Sequence, residues 1–188
     1  MVSAVEKKLT PVASDLRYRI GVSVALAGIF MMFTALTSAY IVRSGAAPDW
    51  RPIAMPRILL LSTFLLVISS GTLEIARRKL SDVLESRYRN WLLTTAILGF
   101  AFLVLQVLAW QQLASQGVFV STNPHSSFFY LLTALHGLHL LGGLLALVYL
   151  HWSSGRKRSK AQIEAVSIYW HFMGALWIFL FLLLFLRR

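Results

Sequence analysis

Cysteine is missing from this 188-residue sequence, and charge of either sign is scarce at 13%. Without cysteine there is no disulfide framework, no thiolate zinc cluster and no cysteine-ligated iron–sulfur centre. A soluble domain carries about 25% charged and about 45–50% apolar residues. Here 57% of residues are hydrophobic, a balance that excludes an ordinary soluble domain and fits a chain whose solvent is lipid. Acidic residues are the scarcest charge, 7 against 18 basic ones, for a net charge of +11. Such an excess is the usual footprint of a nucleic-acid binder. Its placement excludes nucleic acid, because the basic residues lie between long apolar stretches, as the positive-inside rule expects. The segment 1–19 is polar, includes Asp15, Arg17 and Arg19, and lacks the short apolar core and small-residue cleavage site of a signal peptide. The first hydrophobic stretch is therefore expected to be retained as a spanning helix.

A spanning helix needs about 20 mainly apolar residues, at about 1.5 Å each across a core of about 30 Å. Five segments qualify: Ile20 to Val42, Ile58 to Ile75, Trp91 to Trp110, Phe128 to Leu150 and Ile168 to Leu186. The fold class is thus all-α, a cytoplasmic tail over 1–19 followed by a five-helix transmembrane domain over 20–188. With the N-terminus inside, thirteen basic residues fall on the cytoplasmic side: Lys7, Lys8, Arg17, Arg19, Arg77, Arg78, Lys79, Arg87, Arg89, Arg156, Lys157, Arg158 and Lys160. The outer side holds five, namely Arg43, Arg51, Arg57, Arg187 and Arg188. That asymmetry predicts a cytoplasmic N-terminus and an outer C-terminus. Tyr18, Tyr40, Tyr88, Tyr130, Tyr149 and Tyr169, with Trp91, Trp110, Trp152 and Trp170, fall near predicted helix ends, as in an interfacial aromatic belt.

In lipid, helices associate through small residues that admit close backbones and through interhelical hydrogen bonds. The first helix lines up Gly21, Ala25, Gly28, Ala35 and Ala39 on one seam, with Met32 in the gap. This seam is a contact surface, either within the chain's own bundle or for a partner subunit. On the fourth helix Thr133, His136, His139 or Leu140, Gly143 and Ala146 share a face. Two mid-membrane histidines are costly unless hydrogen-bonded, so they are functional candidates. Haem or metal ligation would need another donor at the same depth. His171 lies roughly 9 Å from the depth of His139 at 1.5 Å per residue, which disfavours it. A proton relay is a second reading, and neutral imidazoles hydrogen-bonded to neighbouring helices are the favoured one. Glu74, the acidic residue inside the second span, is expected to pair with Arg77 and Arg78. Gln106 reads as an interhelical hydrogen-bonding residue. Trp177 sits mid-membrane, where its indole N–H needs a partner or a lipid-lined groove. The basic stretch Arg156 to Lys160 attracts anionic headgroups.

These residues resemble subunit III of the haem-copper oxidases, in the five-helix bacterial form. Phe129-Tyr130, Thr133, His136-Gly137, His139 and Gly142 are similar to the family's aromatic–Thr–Gly–x–His–Gly–x–His signature. Tyr169-Trp170-His171-Phe172 with Trp177 resembles its final-helix signature, Ser69-Ser70-Gly71-Thr72 resembles the Ser-Ser element of the second helix here, and Gly99, Phe102, Gln106 and Trp110 fit the third. The resemblance implies a bundle with a V-shaped cleft for phospholipid and a place beside the catalytic subunit I and other oxidase subunits. It implies a non-catalytic role in dioxygen reduction coupled to proton pumping, in a bacterial inner membrane. Haem and copper would lie in the partner subunits, with no cofactor in this chain and cytochrome c or quinol as donor. Three family carboxylate positions are apolar here, at Ile29 beside Gly28, at Ala109 and at Gly174. The alternatives are a related protein accompanying nitric-oxide reductases and an independent small membrane transporter.

Overall fold

The computed structural model describes residues 2–46, 48–51, 53–78, 85–152 and 160–186, with side chains from 16 onward except 85–87 and 160. Five helices form: α1 (Val2–Ala46), α2 (Ile58–Arg78), α3 (Glu85–Ser115), α4 (Pro124–Trp152) and α5 (Lys160–Leu186). Each contains a stretch long and apolar enough to cross a membrane, and among the described residues there is no strand. All five expected spans lie inside these helices, which run beyond them. Of the basic residues counted for orientation, Lys79, Arg156, Lys157, Arg158, Arg187 and Arg188 lie outside the described residues, as do the side chains of Lys7, Lys8, Arg87 and Lys160.

A seven-residue alternation organises the packing of α2. Leu59, Leu66 and Leu73 are buried, and so are Ser62, Ser69 and Ala76 between them. Large and small residues thus alternate along one seam, and the small ones let neighbouring helices approach, the geometry of a left-handed membrane bundle. This face packs most extensively on α3 and also on α5. The same period recurs on α4, where Phe129, His136, Gly143 and Leu150 alternate with Thr133, Leu140 and Leu147. Helix α5 touches α1, α2 and α4, and α3 closes the far side against α2 and α4. Helix α1 is the least enclosed, burying only the stripe Ile29, Phe33, Thr37 and Tyr40 among its described side chains.

The outer turns are set by local chemistry. Gly117 adopts φ 76°, and the bonds Val118 N–H to Leu113 carbonyl and Gly117 N–H to Ala114 carbonyl complete a Schellman stop for α3. Asn123 then caps α4: its Oδ1 accepts from the Ser126 amide at 3.0 Å, while its own amide donates to Ser126 Oγ at 3.1 Å. Pro124 follows at the first helical position, where its missing N–H costs nothing. The helix therefore begins four residues before the expected Phe128, and His125 falls in its first turn.

The aromatic belt is corrected in part. Tyr18, Tyr149 and Trp152 are exposed, but Tyr40, Tyr88 and Trp170 are buried in the bundle. Trp170 is ten residues into α5, because that helix starts at Lys160 rather than near Ile168. The added turns hold Glu164, which pairs with Arg19 of α1 at 2.9 Å, and Gln162, which donates to the Tyr18 hydroxyl at 2.7 Å.

Candidate functional site

The centre of the bundle is joined by indole–hydroxyl bonds between helices. Trp170 Nε1 donates to Ser69 Oγ at 3.1 Å, Trp177 Nε1 to Thr63 Oγ1 at 2.9 Å, and Trp110 Nε1 to Thr133 Oγ1 at 3.1 Å. Each hydroxyl also donates to a carbonyl of its own helix, Leu66, Leu59 and Phe129 respectively. Every hydrogen-bonding hydrogen in these pairs is thereby used, which buried polar groups in lipid require. Trp177 thus has the partner its depth demands. A further hydroxyl pair, Thr72 with Thr95 at 2.8 Å, joins α2 to α3.

Glycines admit the large rings. A Cβ on Gly99 would stand 2.5 Å from the Trp170 ring, and one on Gly143 would stand 2.9 Å from the Tyr169 ring. Gly143, on the shared face of the fourth helix, is therefore a seat for α5 aromatics. Tyr169 completes that contact by donating its hydroxyl to the His139 carbonyl at 2.8 Å.

The two signature histidines differ from the expectation of bonds to neighbouring helices. His139 turns back on α4: its Nδ1 donates to the Leu135 carbonyl at 2.7 Å, and its ring meets the edge of Phe33 at 5.9 Å. His136 is fully buried among the rings of Phe33, Phe102 and Trp177, at centroid distances of 6.5, 5.9 and 5.0 Å. Neither of its nitrogens has a hydrogen-bonding partner among the described residues. Gln106 is likewise buried at 3% exposure, and neither amide atom is bonded. The interhelical bond read for Gln106 from sequence is absent among the described residues.

Toward the other end, Glu74 accepts from Arg77 and Arg78 at 3.1 and 3.0 Å, with its side chain 27% exposed. His171 Nε2 lies 4.0 Å from the Glu74 carboxylate. Across the groove, a Cβ on Gly174 would be 3.2 Å from Ser70 Oγ. Thr63, Ser70, His171, Gly174 and Trp177 line a cleft of about 230 Å³ between α2 and α5. Among the described residues no three His, Asp or Glu side chains come together as a metal site.

The small-residue seam of α1 is not used for packing among the described residues. Gly21, Ala25, Gly28, Ala35 and Ala39 are all exposed, and a Cβ on Gly21 or Gly28 would meet nothing within 4 Å. The seam faces out of the bundle. Beside it, Phe30, Phe33, Thr34, Thr37, Phe172 and Leu176 border an apolar groove of about 430 Å³ between α1 and α5.

One residue escaped the sequence reading. His125 is fully buried, stacked on Trp50 at 5.1 Å and tilted against Tyr40 at 5.9 Å, and its Nδ1 accepts from the Ile53 amide at 3.1 Å. It clasps the α1–α2 connection to the start of α4. The Asn123-Pro124 helix-start signal was the clue, passed over because the apolar run begins only at Phe128.

These features define a polytopic membrane protein of the helical-bundle class, its helices joined by indole–hydroxyl bonds and close-packed glycines. The chain belongs to the family described as cytochrome c oxidase subunit III, whose profile matches residues 8–187. It is 31% identical over 181 residues to cytochrome c oxidase subunit 3 of Synechocystis sp., covering 92% of this chain and 76% of that protein. It is 31% identical over 179 residues to a probable cytochrome c oxidase subunit 3 of Mycobacterium bovis, covering 90% and 87%. A cytochrome bo(3) ubiquinol oxidase subunit 3 of Pseudomonas putida is 25% identical over 163 residues, covering 83% and 79%.

Proposed function

We propose that this chain is the accessory, non-catalytic subunit III of a haem-copper terminal oxidase. It lies in a bacterial inner membrane with its N-terminus and basic loops in the cytoplasm. Haem and copper belong to partner subunits, and α1 docks against the catalytic subunit I. The outward seam of Gly21, Ala25, Gly28, Ala35 and Ala39 is the observation that carries the docking reading. Small residues favour close backbone approach between membrane helices, and among the described residues no other helix covers this row. The family places such a chain within an oxidase, and its named relatives include both cytochrome c and ubiquinol enzymes. The apolar groove between α1 and α5 carries no charged side chain on its walls and takes a phospholipid acyl chain.

The test is to tag the chain, solubilise native membranes in mild detergent and identify what is recovered by mass. Stoichiometric recovery of haem-copper catalytic subunits is expected. Gly28→Leu is expected to leave the chain folded and inserted while reducing that recovery. Recovery of the chain alone across several gentle detergents overturns the assignment.

A further inference from the structure

We propose that Gln106 and His136 together form an internal water-binding site in the middle of the membrane, linking α3 to α4. The inference is independent of the oxidase assignment and rests on the register of the two helices. Trp110 on α3 bonds Thr133 on α4 at 3.1 Å. Two turns earlier on α3, Phe102 meets the His136 ring at 5.9 Å. Gln106 lies one turn from each, on the same stripe, at the spacing that shares one helix face. From the α4 side, a Cβ on Gly137 would be 3.7 Å from Leu103, which fixes the same antiparallel alignment. Gln106 and His136 therefore occupy one level of one interface.

Both side chains are enclosed, at 3% and 0% exposure, and none of their four polar atoms has a partner among the described residues. Buried polar groups are bonded in the great majority of cases, and the exceptions call for a specific ligand. The hydrogens of the nearby polar groups are already used: Thr133 donates to Phe129, Trp110 to Thr133 and the Trp177 indole to Thr63. Around the His136 ring stand the rings of Phe33, Phe102 and Trp177. A metal ion is a poor fit, with two side chains of this kind and no carboxylate or thiolate among the donors. A lipid headgroup has no route to fully enclosed atoms. Water suits the set: the amide offers donors and an acceptor, and the neutral imidazole offers one of each. A water held by two to four such partners is a stable structural element.

The intact detergent-solubilised complex tests this by pulsed X-ray hydroxyl-radical labelling in water enriched in the heavy oxygen isotope, read residue by residue by mass. Radicals generated from a bound water oxidise adjacent side chains even where bulk solvent is excluded. His136 and Phe102 are expected to label several-fold faster than Phe129, which is equally buried but whose signal serves as the dry control. Labelling of His136 and Phe102 no faster than Phe129 overturns the site. As a second measurement, Gln106→Leu and His136→Phe are combined in a thermal-stability cycle. Each single change is expected to lower the midpoint, and the double variant to recover part of that loss. In the double variant, which no longer has His136, labelling of Phe102 should fall to the level of Phe129, and faster labelling of Phe102 there also overturns the proposal.

Discussion

Trp170 and Ser69, 101 positions apart in sequence, are joined by an indole N–H to hydroxyl bond of 3.1 Å at a fully buried position. The relationship is specific in direction, because Ser69 spends its own hydrogen on the Leu66 carbonyl and meets the indole only as an acceptor. Ser69→Ala leaves the Trp170 N–H unpaired in a dry interior. An orphaned buried donor costs about 1–3 kcal/mol, so thermal unfolding of the purified chain should occur at a clearly lower temperature. An unchanged midpoint would show that the indole finds another acceptor.

The glycine under that same indole gives an opposing test. A Cβ on Gly99 stands 2.5 Å from the Trp170 ring, a distance that forces movement of a side chain pinned by its bond to Ser69. Gly99→Ala is expected to destabilise by about 1–3 kcal/mol through overpacking, against the usual helix preference for alanine. Gly21→Ala, with open space around it, should leave the isolated chain's unfolding unchanged or slightly raised. Equal effects at the two sites would refute the packing argument.

The five spans were legible because lipid sets a length and a polarity that little else satisfies. Hydropathy says nothing of which residue faces which helix, and there the reading was partial. The seven-residue alternation of Leu59, Leu66 and Leu73 with Ser62, Ser69 and Ala76 stood open in the sequence but was not extracted. The α1 seam was recognised as a contact surface, yet its direction depends on the placement of α4 and α5, which local spacing does not encode. Gln106 and His136 were expected to find partners in neighbouring helices. Local spacing does not encode which residue a hydroxyl meets, and Thr133 and Thr63 pair with Trp110 and Trp177. His125 was missed because it sits in an Asn–Pro–His turn, outside every apolar run.

Glu74 should matter much less to stability than its intramembrane sequence position suggests. Its side chain remains 27% exposed, and Arg77 and Arg78 are 45% and 78% exposed. Ion pairs that water can reach contribute about 0–1 kcal/mol. Glu74→Gln is therefore expected to shift the unfolding midpoint only slightly, and the small effect should shrink further as salt is raised. A large, salt-independent loss would mean that the carboxylate is enclosed by groups beyond this chain.

The His125 clasp yields the sharpest local prediction. The Ile53 amide is buried and donates to Nδ1 at 3.1 Å, so it has an acceptor only while that nitrogen keeps its lone pair. His125→Phe preserves the ring packed between Trp50, Tyr40 and the start of α4 but removes the acceptor. Loss of a buried bond at about 1–3 kcal/mol corresponds to roughly five- to hundredfold more opening, at about 1.4 kcal/mol per tenfold. Amide hydrogen exchange over residues 53–55 should accelerate by that factor, while peptides within α3 and α5 keep their protection. Acceleration spread through the whole bundle would instead mean that His125 supports the global fold. Unchanged exchange at Ile53 would mean that the stack on Trp50, without the hydrogen bond, is enough to hold the connection.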